Sequence, residues 1–190
     1  MTFLAVRLSL VAIGLCAVAC GGSLAQQQKE RAGLAQELSA SQLLRKGDAS
    51  ASAGDMTRAE QYYAAALKVG GDEESTVKKL LVVCVADQRY PVALEYAEHY
   101  LNRHPKDVEI LFAAASLTAA VGDNPRARGL LTEVVQLRPE WPDAHYALAT
   151  VLREDDTARD AADRQDLEYL RLAPSGPLAE SARARVRRNP

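Results

Sequence analysis

Aromatic residues are scarce in this chain, at 5% of its 190 residues, although 48% of it is apolar. The apolar content is therefore mostly Ala, Leu and Val, which favours closely packed helices over a β-sandwich. No strong charge of one sign is present: the formal net charge is −2. A nucleic-acid partner is not expected, because no basic field exists to attract one. The apolar run from Leu8 to Ala19, broken by Ser9 and Gly14, is shorter than the roughly 20 residues that span a bilayer. Catalytic signatures are missing too. No metalloprotease, phosphate-loop, dinucleotide or nucleophile-elbow motif occurs. Of three histidines, His99 and His104 fall off a common helix face, and His145 falls on a packing position. The sequence implies no metal, no cofactor and no enzyme.

What is there begins with the first nineteen residues. Arg7 followed by the short apolar run has the form of a secretory signal, with Ala17 and Ala19 suited to its cleavage site. The junction Ala17-Val18-Ala19-Cys20-Gly21-Gly22 resembles the lipobox of bacterial lipoproteins, in which the cysteine is lipidated. Ala17 stands where Leu is usual. Cys16 is a rival, but Leu15 is large for the position before cleavage. That resemblance implies lipidation at Cys20. Gly21, rather than Asp, in the next place implies an outer-membrane anchor facing the periplasm. A soluble periplasmic protein released by the same signal is the alternative. With Cys20 acylated, Cys84 is left as the lone thiol and forms no internal disulfide. Residues 20–39 read as the lipidated N-terminus and a tether running into a helix.

Beyond the tether the chain repeats. Ala59, Ala93 and Ala127 are spaced by 34 residues, as are Gly54, Gln88 and Gly122, and Gly71, Pro105 and Pro139. Gly54 and Gly122 suit helix ends where φ is positive. Asp55 and Asp123 suit the caps that follow, and Pro125 suits a first helical turn. Between these segments Val77, Leu80, Leu81 and Cys84 recur at helical spacing, as do Leu111, Ala114, Ala115 and Thr118, and His145, Leu148, Ala149 and Leu152.

A period of 34 residues built this way resembles the tetratricopeptide repeat. The resemblance implies an all-α superhelix of about four helix-turn-helix repeats, at 40–73, 74–107, 108–141 and 142–175, within a domain of 40–176. Residues 177–190 are then a capping helix and basic tail, with Leu178, Ala182 and Val186 facing the last repeat and the arginines facing water. The fourth hairpin departs from the pattern, because Gln165 or Asp166 falls where a large apolar residue is usual. The acidic stretch from Glu154 to Asp166 lacks calcium-loop spacing and reads as a solvated helix start.

In such a superhelix the concave face is built largely from the first helix of each repeat. Counting along the repeats gives Lys78, Val82, Phe112, Ser116, Tyr146, Thr150 and Arg153 as the partner-binding groove. Phe112 and Tyr146 hold equivalent places; they are either anchors for a bound segment or packing for a neighbouring helix. Lys78 matches one position of the family's clamp for acidic C-terminal tails, but Val82 replaces the Asn that clamp needs, so that activity is not expected. Together with the lipobox, the repeats resemble those of bacterial envelope lipoproteins. That implies a lipid-anchored scaffold or adaptor for protein partners in a pilus, secretion or motility machine. The alternative is an adaptor that recruits or regulates a cell-wall hydrolase; a true enzyme is more distant.

Overall fold

The computed structural model describes residues 39–187. Among these, α1 covers 39–52, followed by α2 (Met56–Lys68), α3 (Glu73–Ala86), α4 (Tyr90–Leu101), α5 (Val108–Ala120), α6 (Asn124–Leu137) and α7 (Pro142–Leu152). A 3-10 turn at Asp156–Ala158 leads into α8 (Arg159–Leu172), and α9 (Ala179–Arg187) ends the described chain. The described residues contain no strand. From α2 onward each helix packs chiefly on the next one in sequence, the nearest-neighbour stacking of a helical solenoid. No helix among the described residues is long and apolar enough to cross a membrane. The signal, the tether and the Cys20 lipidation site lie outside the described residues.

One local device recurs at the turn inside each of the first three hairpins. The N–H groups of Asp55, Arg89 and Asp123 donate to the carbonyls of Ser50, Cys84 and Thr118 at 2.9, 2.8 and 3.1 Å. This closes the helix end through a left-handed residue. Gly54 and Gly122 supply it with φ of 80° and 89°, and Gln88 supplies it with φ of 56°. The repeat thus imposes glycine's backbone on a residue that carries a side chain. The next helices start on Asp55 and Asp123, whose carboxylates accept from the N–H groups of Arg58 and Arg126. Arg89 offers no such cap, and Pro91 stands in the first turn of α4 instead.

The hairpins close on small residues. Ala59, Ala93, Ala127 and Ala162 have no exposed surface, so the paired helices approach closely there. A second crossing carries complementary volumes. Gly47 faces Tyr63 in the first hairpin. The equivalent pairs are Leu81 and Ala97, then Ala115 and Leu131, all buried. Bulk is exchanged between the helices while the pair remains one large and one small residue. In the fourth hairpin Ala149 is matched by Asp166, also fully buried. The turn there is longer, and Asp155 caps the 3-10 segment by accepting from the Thr157 N–H at 2.9 Å.

Beyond the fourth hairpin, α9 lies on α8. Ala179 and Ala182 are buried against Tyr169, and the Tyr169 hydroxyl accepts from the Leu178 N–H at 3.0 Å. Gly176 fits beneath it, since a Cβ there would stand 2.5 Å from the same hydroxyl.

Candidate functional site: the first-helix face

The seven residues expected to line a groove lie on or at the end of α3, α5 and α7, and they fall into two sets. Lys78, Val82 and Ser116 form the more open one. Lys78 sends its ammonium to Glu74 at 2.7 Å and to Glu109 at 2.8 Å, so it ties α3 to α5. These carboxylates, Glu109 first, hold its pKa above the usual lysine value. Val82 is 67% exposed. It borders a 290 Å³ depression lined also by Lys78, Ala51 and Tyr63. Ser116 is exposed and turns its hydroxyl back to the Phe112 carbonyl at 2.9 Å, so it contributes a small polar surface to this face.

Phe112 and Tyr146 are half-buried. The Phe112 ring packs 4.6 Å from the Trp141 ring at the start of α7 and joins two apolar clusters. Tyr146 sets its ring edge-on to Tyr169 at 5.5 Å. Its hydroxyl meets the Ser181 hydroxyl at 3.0 Å, and the Arg185 guanidinium lies 4.0 Å over its ring. Both rings therefore hold neighbouring helices together. Of the two roles the sequence leaves open for them, packing on a neighbouring helix is the one these contacts show.

The C-terminal end of the face is occupied from within. Thr150 is exposed, donates to the Tyr146 carbonyl and accepts from the Arg185 guanidinium at 3.0 Å. Arg153 turns away from a groove and toward α8, donating to Asp163 and, at 2.7 Å, to Asp166. Asp166 accepts from Arg185 with its other oxygen. The fully buried carboxylate thus lies between two guanidiniums, one from the end of α7 and one from α9. This accounts for a charged residue at a place where the repeat usually packs an apolar one. Two expectations are corrected here. Asp163 and Asp166 are not a solvated helix start, and Arg185 does not face water.

The remaining candidates for chemistry are structural. Among the described residues no group of three or more His, Cys, Asp or Glu is placed to hold a metal ion. His145 is buried, with Nε2 at the Pro139 carbonyl and Nδ1 at the Gln165 side-chain amide. Cys84 is fully buried, and burial pushes its thiol up to about 11. A thiol so shielded is a poor nucleophile.

One feature had no counterpart in the sequence reading. A 790 Å³ cavity opens on the second-helix side between α2 and α4, with Ala64, Leu67, Val92, Tyr96, His99 and Arg103 among its lining. Tyr96 was the available signal. It is a half-buried aromatic on a second helix, its hydroxyl donates to Glu60 at 3.1 Å, and burial raises its pKa to about 12.

No family model matches the chain, and no curated protein matches it in sequence. Solved structures do match in fold. YrrB, described as a TPR protein with an unusual peptide-binding site, is 19% identical over 86% of this chain and 88% of its own, with a TM-score of 0.67. MamA from Desulfovibrio magneticus RS-1 is 21% identical, covering 73% of this chain and 77% of that one, with a TM-score of 0.63. A tetratricopeptide repeat protein from Parabacteroides merdae is 20% identical, covering 78% and 59%, with a TM-score of 0.69. With the recurring turn, the alanine crossings and the nearest-neighbour packing, these likenesses identify the architecture: the chain has the tetratricopeptide-repeat fold.

Proposed function

We propose that this protein is a non-enzymatic scaffold that holds segments of protein partners on its first-helix face. The observation that carries the reading is the run of outward-facing side chains on successive first helices, open at Lys78, Val82 and Ser116. An exposed valine beside an apolar depression supplies contact area, and the lysine with its two carboxylates supplies a polar rim, the composition of a protein-binding surface. The peptide-binding site of YrrB, a protein of the same fold, supports a peptide or protein segment as the ligand. The lipobox-like junction at Cys20 supports attachment to the bacterial outer membrane on its periplasmic side, where the partners would be proteins of an envelope machine for pili, secretion or motility. Two or more acyl chains on Cys20 would give lasting attachment, where one gives only marginal binding.

Two experiments test this. Cells expressing the wild type or Cys20→Ala are fractionated; the wild type should follow outer membranes and the variant should be soluble, and identical distributions would end the anchoring reading. Separately, the wild type and the double variant Val82→Glu with Ser116→Arg are recovered from solubilised envelopes. The variant should keep its melting temperature and lose its co-purifying partner. A folded variant that retains every partner would place binding off this face.

A further inference from the structure

The C-terminal end of the first-helix face holds an arginine in a built pocket. Its walls are the Tyr146 ring, 4.0 Å from the Arg185 guanidinium, the Thr150 hydroxyl at 3.0 Å, and the fully buried Asp166 carboxylate. Each wall suits that group. The ring face attracts a cation, the carboxylate pairs with a guanidinium, and the hydroxyl accepts from another of its N–H groups. Charge points the same way. On its own hairpin the Asp166 carboxylate pairs with Arg153, and Arg185 supplies the second positive charge.

The occupant sits on a short helix. Helix α9 is nine residues long, too short to persist without docking. Among its described side chains the buried ones are two alanines, Ala179 and Ala182. Arg185 itself fits imperfectly: its Nε is buried with no hydrogen-bond partner among the described residues. A buried donor left unmade weakens the hold on its owner, and an incoming arginine presented with an acceptor at Nε would be held better. Tyr146 and Thr150 repeat the places of Phe112 and Ser116 on α5, so the pocket is continuous with the face assigned to partners.

We propose that Tyr146, Thr150 and Asp166 form an arginine-recognition pocket, that α9 fills it with Arg185 as an internal occupant, and that an arginine-bearing segment of a protein partner displaces α9 to bind there. The proposal rests on the reading of the first-helix face as a binding surface, and adds the chemistry of the ligand and a built-in competitor.

The test uses the full chain and, as probe, a fluorescent peptide of residues 176–190, alongside the same peptide carrying Arg185→Ala. Wild-type protein should bind the arginine peptide at least about ten-fold more weakly than the Arg185→Ala protein, whose pocket lacks its own occupant. The alanine peptide should not bind either protein. A second variant, Ala184→Pro, breaks α9 in mid-helix and leaves every pocket residue in place. It should also gain binding of the arginine peptide, and it decides the matter if Arg185→Ala fails to fold. Adding Asp166→Asn to Ala184→Pro should remove the gain. Equal binding of the two peptides, or no gain in either folded variant, overturns the proposal. If that happens while Val82→Glu with Ser116→Arg still releases a partner, the scaffold reading stands and the arginine pocket alone is wrong.

Discussion

Gly47 lies so close to Tyr63 that a Cβ on it would sit 2.3 Å from the ring's Cε1. The ring has little room to move. It is 2% exposed, and its hydroxyl donates to Asp48 at 2.8 Å, one residue beyond the glycine. Alanine in a helix interior normally gains roughly 0.5–1 kcal/mol over glycine. Here the clash decides the sign, because overpacking costs about 1–3 kcal/mol. Gly47→Ala should destabilise the protein, lowering its urea midpoint. Gly47→Ala combined with Tyr63→Leu, which removes the clashing ring atoms, should recover part of the loss.

Gly129 gives the opposite sign. It sits inside α6, it is exposed, and a Cβ there would meet nothing within 4 Å. Gly129→Ala should stabilise by roughly 0.5–1 kcal/mol, measured by the same denaturant titration. A stability loss would mean that another surface approaches the α6 backbone at this residue.

Gln88 carries a left-handed backbone, with φ of 56°, at the place where Gly54 and Gly122 stand in the adjoining repeats. A residue with a Cβ pays about 1–2 kcal/mol to be left-handed. Gln88 is exposed and so has no buried packing to lose. Gln88→Gly should raise stability by up to about 1 kcal/mol, after glycine's larger entropy loss on folding is subtracted. The check is thermal melting beside Gly122→Ala, which should move the other way.

The repeat was legible in the sequence because each hairpin solves the same local problem with the same residues. Ala59, Ala93 and Ala127 mark close crossings, and the Gly54, Gln88 and Gly122 series marks the turn even where glycine is absent. Such positions show through a period because their partners lie at constant sequence offsets. Asp166 could be recognised from that period only as a misfit. Its partners, Arg153 and Arg185, stand 13 and 19 residues away on either side of it, offsets that are not the period of the repeat. The period also failed to show that α9 would cover Tyr146, because a helix that ends a solenoid has no following repeat to set its register. The cavity between α2 and α4 was hidden for another reason. It arises from the spacing of two second helices, which is a property of their packing and not of a motif.

Cys84 should give stability a dependence on alkaline pH. Burial first, and the Glu60 charge second, raise its thiol from 9.0 to about 11. The unfolded chain therefore loses the thiol proton at lower pH than the folded one. The stability contributed is full below pH 9 and is lost as pH rises from 9 toward 11. Denaturation measured at intervals across that range should show a steeper decline for wild type than for Cys84→Ala. Parallel curves would show that the thiol titrates alike in both states.

Asp166 should be the most sensitive charged position of the fourth hairpin. It has no exposed surface and stands between two guanidiniums, each with one buried Nε lacking a partner among the described residues. Removing the carboxylate takes the shared acceptor from both guanidiniums and leaves Arg153 its bond to Asp163, and breaking a buried ion pair in this way costs about 3–5 kcal/mol. The two arginine side chains are 22% and 18% exposed, so water will screen them in part, and Asp166→Leu should fall at or below the lower end of that range. Replacing all three charges with apolar groups is a different experiment. Arg153→Met, Asp166→Leu and Arg185→Met together should cost less than Asp166→Leu alone, because the buried carboxylate and the two guanidiniums that face it leave together, and only the bond from Arg153 to Asp163 is lost besides. The measurement is the denaturation free energy of wild type, the single variant and the triple variant at one pH and salt concentration. If the single and triple variants lose equal stability, the cost is one of shape. Asp166 would then hold the fourth hairpin by its size and not by pairing with α7 and α9.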